Sequence, residues 1–221
     1  MSAAITTKTT GKDRIMCVRV LMILSCAVLS ACTLIKPPAA VNMQSYVLEL
    51  PVAVRQARAS RPEGAALVVA ELRTRPGYDT PRMAYVKRDY TLDYYANSQW
   101  ADSPARMLQP LLVRALESTG HYSAVLRAPA PVAAGLRLDV EIARLEQVFT
   151  KQPSHMLITM RVLLIDTHRG TVLGQREFAA DVPAPSDDAY GGVRALNQAL
   201  APLLSDVAAF CVALTPSVGT P

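Results

Sequence analysis

The chain has 221 residues, 51% of them hydrophobic, with 23 Lys or Arg against 18 Asp or Glu and a formal net charge of +5. Four of the basic residues and one acidic residue precede Cys32, which leaves 19 against 17 from Cys32 onward and a net of +2. That balance removes the basis for a nucleic-acid or polybasic membrane-surface reading, while about 190 residues suffice for one domain with a proper core.

Val20 to Ala31 is apolar or small throughout. A dozen residues at helical rise span about 18 Å, too short for a hydrocarbon core of about 30 Å, so the segment reads as the h-region of a signal peptide. Lys8, Lys12, Arg14 and Arg19 supply the positive n-region; Met1 or Met16 can serve as the start, since Met16 to Arg19 already suffices. Leu29-Ser30-Ala31-Cys32 closes the run as a lipobox. On this reading residues 1–31 are removed and Cys32 carries covalent lipid, each buried methylene contributing about 0.8 kcal/mol of anchoring. Thr33, where an Asp would favour inner-membrane retention, points to the periplasmic face of the outer membrane. Residues 32–43 form the acylated N-terminus and a stiff tether through Lys36-Pro37-Pro38-Ala39-Ala40. Cys17 and Cys26 leave with the signal and Cys32 is acylated. Cys211 alone remains, so no intramolecular disulfide can form, and its place on an apolar helix face predicts a buried thiol.

The folded region is expected over residues 44–214. Gln44 to Leu50 alternates weakly and reads as a strand, followed by a loop over Val52 to Gly64. Ala65 to Arg73 is a continuous apolar run, a buried strand. Arg75-Pro76-Gly77-Tyr78-Asp79 is turn chemistry. Met83 to Val86 and Tyr90 to Tyr95 are short strands joined by a hairpin at Lys87-Arg88-Asp89. Ser103-Pro104 starts a helix that Gly120 stops; Pro110 predicts a kink, or a true start near Gln109. Tyr122 to Leu126 is a strand. Leu136, Leu138, Val140 and Ile142 alternate with Arg137, Asp139 and Glu141, and the phase breaks at Ala143-Arg144, which predicts a bulge. Met156 to Ile165 is a central strand, Asp166 to Gly170 a hairpin turn and Thr171 to Val182 the returning strand. Pro183 to Asp188 is a loop ending in an N-cap. Val193, Leu196, Leu200, Leu203, Val207 and Leu214 line one face of the longest helix. Residues 215–221 have the composition of a disordered tail. The order predicts an α+β single domain, a mostly antiparallel sheet with two main helices on one face.

Pro76-Gly77-Tyr78-Asp79-Thr80, Arg82-Met83-Ala84-Tyr85 and Tyr94 through Pro104 carry a tyrosine–tryptophan segment of the form YxxxxWxxxP, filled here by Tyr95, Trp100 and Pro104. A helix, Gly120 and His121 to Val125 follow, and an early YxL strand stands at Tyr46-Val47-Leu48. In these features the chain resembles the ABC-type transport auxiliary lipoprotein family. The resemblance implies an outer-membrane lipoprotein that serves an MCE-type lipid transport system. Its implied partners are a periplasm-spanning MCE-domain protein and, behind it, the inner-membrane ABC permease and ATPase. The implied role is docking of the periplasmic conduit, with which a homo-oligomer is compatible. Two alternatives stay open: a lipid-binding carrier module, and an accessory lipoprotein for another envelope assembly or secretion machine.

Five of the eight tyrosines and the lone tryptophan lie between Tyr78 and Trp100. Most are expected to be core and strand-pair residues, with Trp100 under the following helix. Tyr94 and Tyr95 point to opposite faces of one strand, so at least one is free for a partner. Asp79, Arg82, Tyr94 and Tyr95 are therefore the candidate partner-interface residues. His121, His155 and His168 are scattered without metal-ligand spacing, and Ser154 and His155, being adjacent, face apart. No nucleophile elbow, phosphate loop or dinucleotide fingerprint occurs, so neither an enzymatic role nor a cofactor beyond the lipid on Cys32 is expected.

Overall fold

The computed structural model describes residues 42–50, 64–131 and 133–215, together with Met16. The signal segment, Cys32, the Pro-rich tether, residues 52–63 of the predicted loop and the tail from 216 lie outside the described residues.

The long strands are built as their patterns demand. Strand β7 (Leu136–Val148) buries Leu136, Leu138, Val140 and Ile142 and turns Arg137 and Asp139 away. Strands β8 (His155–Asp166) and β9 (Thr171–Pro183) follow, each antiparallel to its predecessor over nearly its whole length. The β7–β8 register slips between Ile142 and Arg144, the bulge expected from the phase break. Short strands fill the other edge of β7, all parallel to it: β2 (Leu67–Val69) at its start, β3 (Arg73–Thr74) midway and β4 (Arg82–Val86) at its end. Beyond β4 come β5 (Asp93–Trp100), antiparallel, and β1 (Gln44–Tyr46), parallel to β5; beyond β2 comes β6 (Val125–Arg127). Among the described residues the result is a mixed nine-stranded sheet that forks at β7.

Helix α1 (Pro104–Ser118) runs unbroken through Pro110, rather than starting late. The proline removes the hydrogen bond to the carbonyl of Arg106, an exposed residue where water can substitute. The opposite stripe, Leu108, Leu111, Leu112, Ala115 and Leu116, is buried, and each leucine so buried contributes about 1.5–3 kcal/mol, which outweighs the break. Ser103 stands at the N-cap but makes no side-chain cap bond; its hydroxyl accepts from Arg106 Nε at 3.3 Å. Helix α2 (Ala189–Leu214) is capped by Asp188, which accepts from Gly191 N at 2.7 Å. It is apolar and long enough to cross a membrane by composition, yet its stripe of Leu196, Leu200, Leu204, Val207 and Cys211 is buried in the domain core. Both helices pack on one face: Phe210 of α2 stacks edge-on against Phe178 of β9 at 5.5 Å, and Gln109 Nε2 of α1 donates to Ala70 O at 2.9 Å.

Several boundaries differ from the sequence reading: β6 spans Val125–Arg127 rather than Tyr122 to Leu126, β5 runs on past Tyr95 to Trp100, and three further differences have a visible cause. The apolar run from Ala65 to Arg73 splits into β2 and β3, because Ala70 N turns to bond Leu138 O while Arg73 re-engages β7 further along. Strand β1 ends at Tyr46; residues 47–49 are held instead by Asn197 of α2, which accepts from Glu49 N and donates to Val47 O. The β4–β5 turn is longer than three residues, since β5 begins only at Asp93. Thr215 is buried and its hydroxyl bonds Cys211 O, closing α2.

Candidate docking site

The β4–β5 arm divides its aromatics between the two faces of the sheet. On the helix face, Tyr95 Oη donates to Gln147 Oε1 at 2.8 Å, and Gln147 Nε2 donates to Ser154 Oγ at 2.9 Å. Gln147 and Ser154 are both buried, and Ser154 N donates to Asp187 Oδ1 at 2.7 Å. Gly192 of α2 sits directly over this amide; a Cβ there would lie 2.5 Å from Gln147 Oε1. Tyr85 stacks tilted on Tyr95 at 4.9 Å and edge-on against Phe149 at 6.0 Å. Burial first, then the negative charge of Asp188, holds the Tyr95 phenol protonated far above its ordinary value. Tyr95 is therefore a fixed neutral donor that seats the start of α2 on the sheet.

On the opposite face, Arg82 lays its guanidinium 4.0 Å over the Tyr94 ring, and Tyr94 Oη donates to Gly77 O at 2.7 Å. The turn predicted at Pro76-Gly77 brings Tyr78 down onto Glu146, whose carboxylate is 2% exposed. The bulge in β7 sets Arg144 and Glu146 on this same face, and Arg144 Nε donates to Glu146 Oε1 at 3.1 Å. Burial and the Glu146 carboxylate together push the Tyr78 phenol upward. Burial opposes the Arg144 charge, yet Glu146 outweighs it and raises Arg144. Tyr78 and Arg144 both bond the buried Glu146 carboxylate, and the three form a rigid polar floor.

Above that floor lies an open cleft of about 690 Å³ between the hairpin and β7, lined by Arg75, Tyr78, Tyr90, Leu92, Arg144 and Val148 among others. Arg82 and Tyr94 stand beside it. Of the four interface candidates, Arg82 and Tyr94 meet on this face, Tyr95 faces the helices, and exposed Asp79 lines a separate cleft with Arg106 and Gln109. Trp100 is 1% exposed in the core, as expected. Sequence reasoning missed Arg75, Arg144 and Glu146; the broken phase at Ala143-Arg144 was the signal that two charged residues two apart share one face.

Comparison with known proteins fits this architecture. The family model of the ABC-type transport auxiliary lipoprotein component matches residues 46–208. No curated protein matches the sequence. Among solved structures, protein XCC0632 from Xanthomonas campestris, of family DUF330, is similar at 22% identity and a TM-score of 0.64, over 77% of this chain and 94% of that one. A second, an uncharacterized protein, is similar at 19% identity and a TM-score of 0.60, over 76% and 98%. PelC from Paraburkholderia phytofirmans, solved as a dodecamer, is similar at 12% identity with a TM-score of 0.44, over 70% and 92%.

Proposed function

We propose, from the premise that this chain belongs to the ABC-type transport auxiliary lipoprotein family, that it is the outer-membrane docking component of an MCE-type lipid transport system. A lipoprotein of this family is a membrane-anchored envelope protein; lipidation at Cys32 and the outer membrane as its site are part of the proposal. The observation that carries docking is the face of the sheet away from the helices. There Arg82 rides on Tyr94 beside an open cleft, over a floor held by Tyr78, Arg144 and Glu146. Aromatic and arginine side chains on a rigid support are what protein interfaces favour. The partner is an MCE-domain periplasmic protein, with the permease and ATPase reached through it. The test is copurification from cells in which this lipoprotein is tagged. Recovery of an MCE-domain protein, reduced at least about tenfold by the pair Arg82→Glu and Tyr94→Ala, supports docking. Full recovery with both changes, in a protein that still folds, counts against this surface.

A groove of about 440 Å³ between α1 and α2, lined by Leu50, Ala115, Ala201, Leu204, Ala208 and Val212, favours a second reading as a lipid carrier. Native mass spectrometry of the lipoprotein distinguishes the two: a second, non-covalent lipid mass supports the carrier.

A further inference from the structure

Strand β1 fixes the direction in which the chain leaves the domain. It runs parallel to β5, with Gln44 beside Ser98 and Tyr46 beside Trp100. The bond from Ala101 N to Tyr46 O and the grip of Asn197 on the segment after β1 secure it there. The N-terminal end of β1 therefore faces the beginning of β5, where the β4–β5 hairpin lies. That hairpin carries Tyr90, fully exposed and at φ +66°, with Leu92 exposed two residues on and Lys87 and Arg88 flanking. A bulky residue at positive φ is strained, and such a site favours glycine. A tyrosine held there with its whole ring in solvent points to a contact outside the chain.

We infer that the hairpin tip around Tyr90 rests on the phospholipid surface of the membrane that holds the lipid anchor. The inference rests on the reading of Cys32 as the lipidated residue. Eleven residues lie between Cys32 and Gln44, twelve residue steps with an extended reach of at most about 40 Å. From the level of Gln44 to the tip, strand rise along β5 and the turn amounts to about 20–25 Å. A tether of that reach is long enough to pass the tip and short enough to keep it near the bilayer, whereas the Asp166–Gly170 turn lies at the opposite end of the sheet. Tyrosine suits the headgroup layer, with an apolar ring and a polar end; exposed Asp89 and Asp93 balance Lys87 and Arg88, so the ring and not net charge makes the contact. The hairpin then sets the orientation of the docking face relative to the membrane.

The test uses the full lipoprotein in vesicles of phosphatidylethanolamine with a minority of phosphatidylglycerol, containing bromine-labelled acyl chains. Tyr90→Trp adds one indole at the tip, and Arg169→Trp adds one at the opposite turn; buried Trp100 is the common background. The expected result is at least about twofold quenching of the added emission at position 90 and none at 169. Protein that floats with the vesicles but shows no quenching at 90, or equal quenching at both positions, overturns the inference while the anchor stands. Protein that does not float overturns the anchor, and the inference with it.

Discussion

Replacing Gln147 by leucine tests whether the polar contact under α2 is built as described. The amide joins Tyr95 at 2.8 Å to Ser154 at 2.9 Å, and Gln147 is 1% and Ser154 0% exposed. Leucine fills much of the same volume but accepts and donates nothing. The change removes the amide partner of the Ser154 hydroxyl, leaving it only Asp187, and strands the Tyr95 phenol in part. Each orphaned buried group costs about 1–3 kcal/mol; with Asp187 still beside Ser154 and Tyr95 partly in solvent, the expected loss is about 1–4 kcal/mol. Denaturant unfolding in detergent, followed through the lone buried Trp100, measures it. Adding Tyr95→Phe removes one stranded group, so the double variant should recover about 0.5–2 kcal/mol relative to the sum of the singles. A Gln147→Leu protein within about 0.5 kcal/mol of the parent, with additive single effects, would refute the claim that this contact seats the helix.

Gly192→Ala drives a Cβ to 2.5 Å from Gln147 Oε1, and overpacking at so confined a place is expected to cost about 1–3 kcal/mol in the same unfolding assay. Burial pushes the Cys211 thiol up to about 12, so a thiol reagent should leave it untouched in the native protein and modify it fully in denaturant. Because the folded-state value is raised, the linked stability is complete below the unfolded thiol's value near 8.5 and is lost as pH rises from there toward about 12; burial pushes Tyr122 up to about 12 as well and adds to the loss, which thermal melts across this range should show. Tyr90→Gly relieves the positive φ at the hairpin tip and should raise stability by up to about 1 kcal/mol while removing the tip's contact with bilayers, read as a higher melting temperature beside loss of membrane orientation.

The parts legible in the sequence are those where one periodicity spans many residues. Strands β7 and β8 and helix α2 each bury one long stripe, and the Asp188 cap and the β7 bulge announced themselves through residue type and broken phase. Boundaries failed where tertiary pairing overrode local pattern. The break between β2 and β3 depends on where β7 offers partners, and the continuity of α1 through Pro110 depends on a buried leucine stripe stronger than one lost bond. The site follows the same rule. That Tyr94 and Tyr95 face apart is a property of any strand, but that Arg82 reaches the Tyr94 ring needs the register of two strands. The burial of Glu146 was invisible, because its cover is Tyr78, a residue 68 positions earlier delivered by a turn.

The docking account meets its most direct test in living cells, with a photoreactive residue installed at Arg82, at Tyr94 and, as a helix-face control, at Tyr95. The account predicts capture of an MCE-domain protein from positions 82 and 94 and little from 95, whose hydroxyl is committed to Gln147. Capture from 95 alone, or no MCE-domain protein from any of the three in a folded, membrane-anchored lipoprotein, would contradict it.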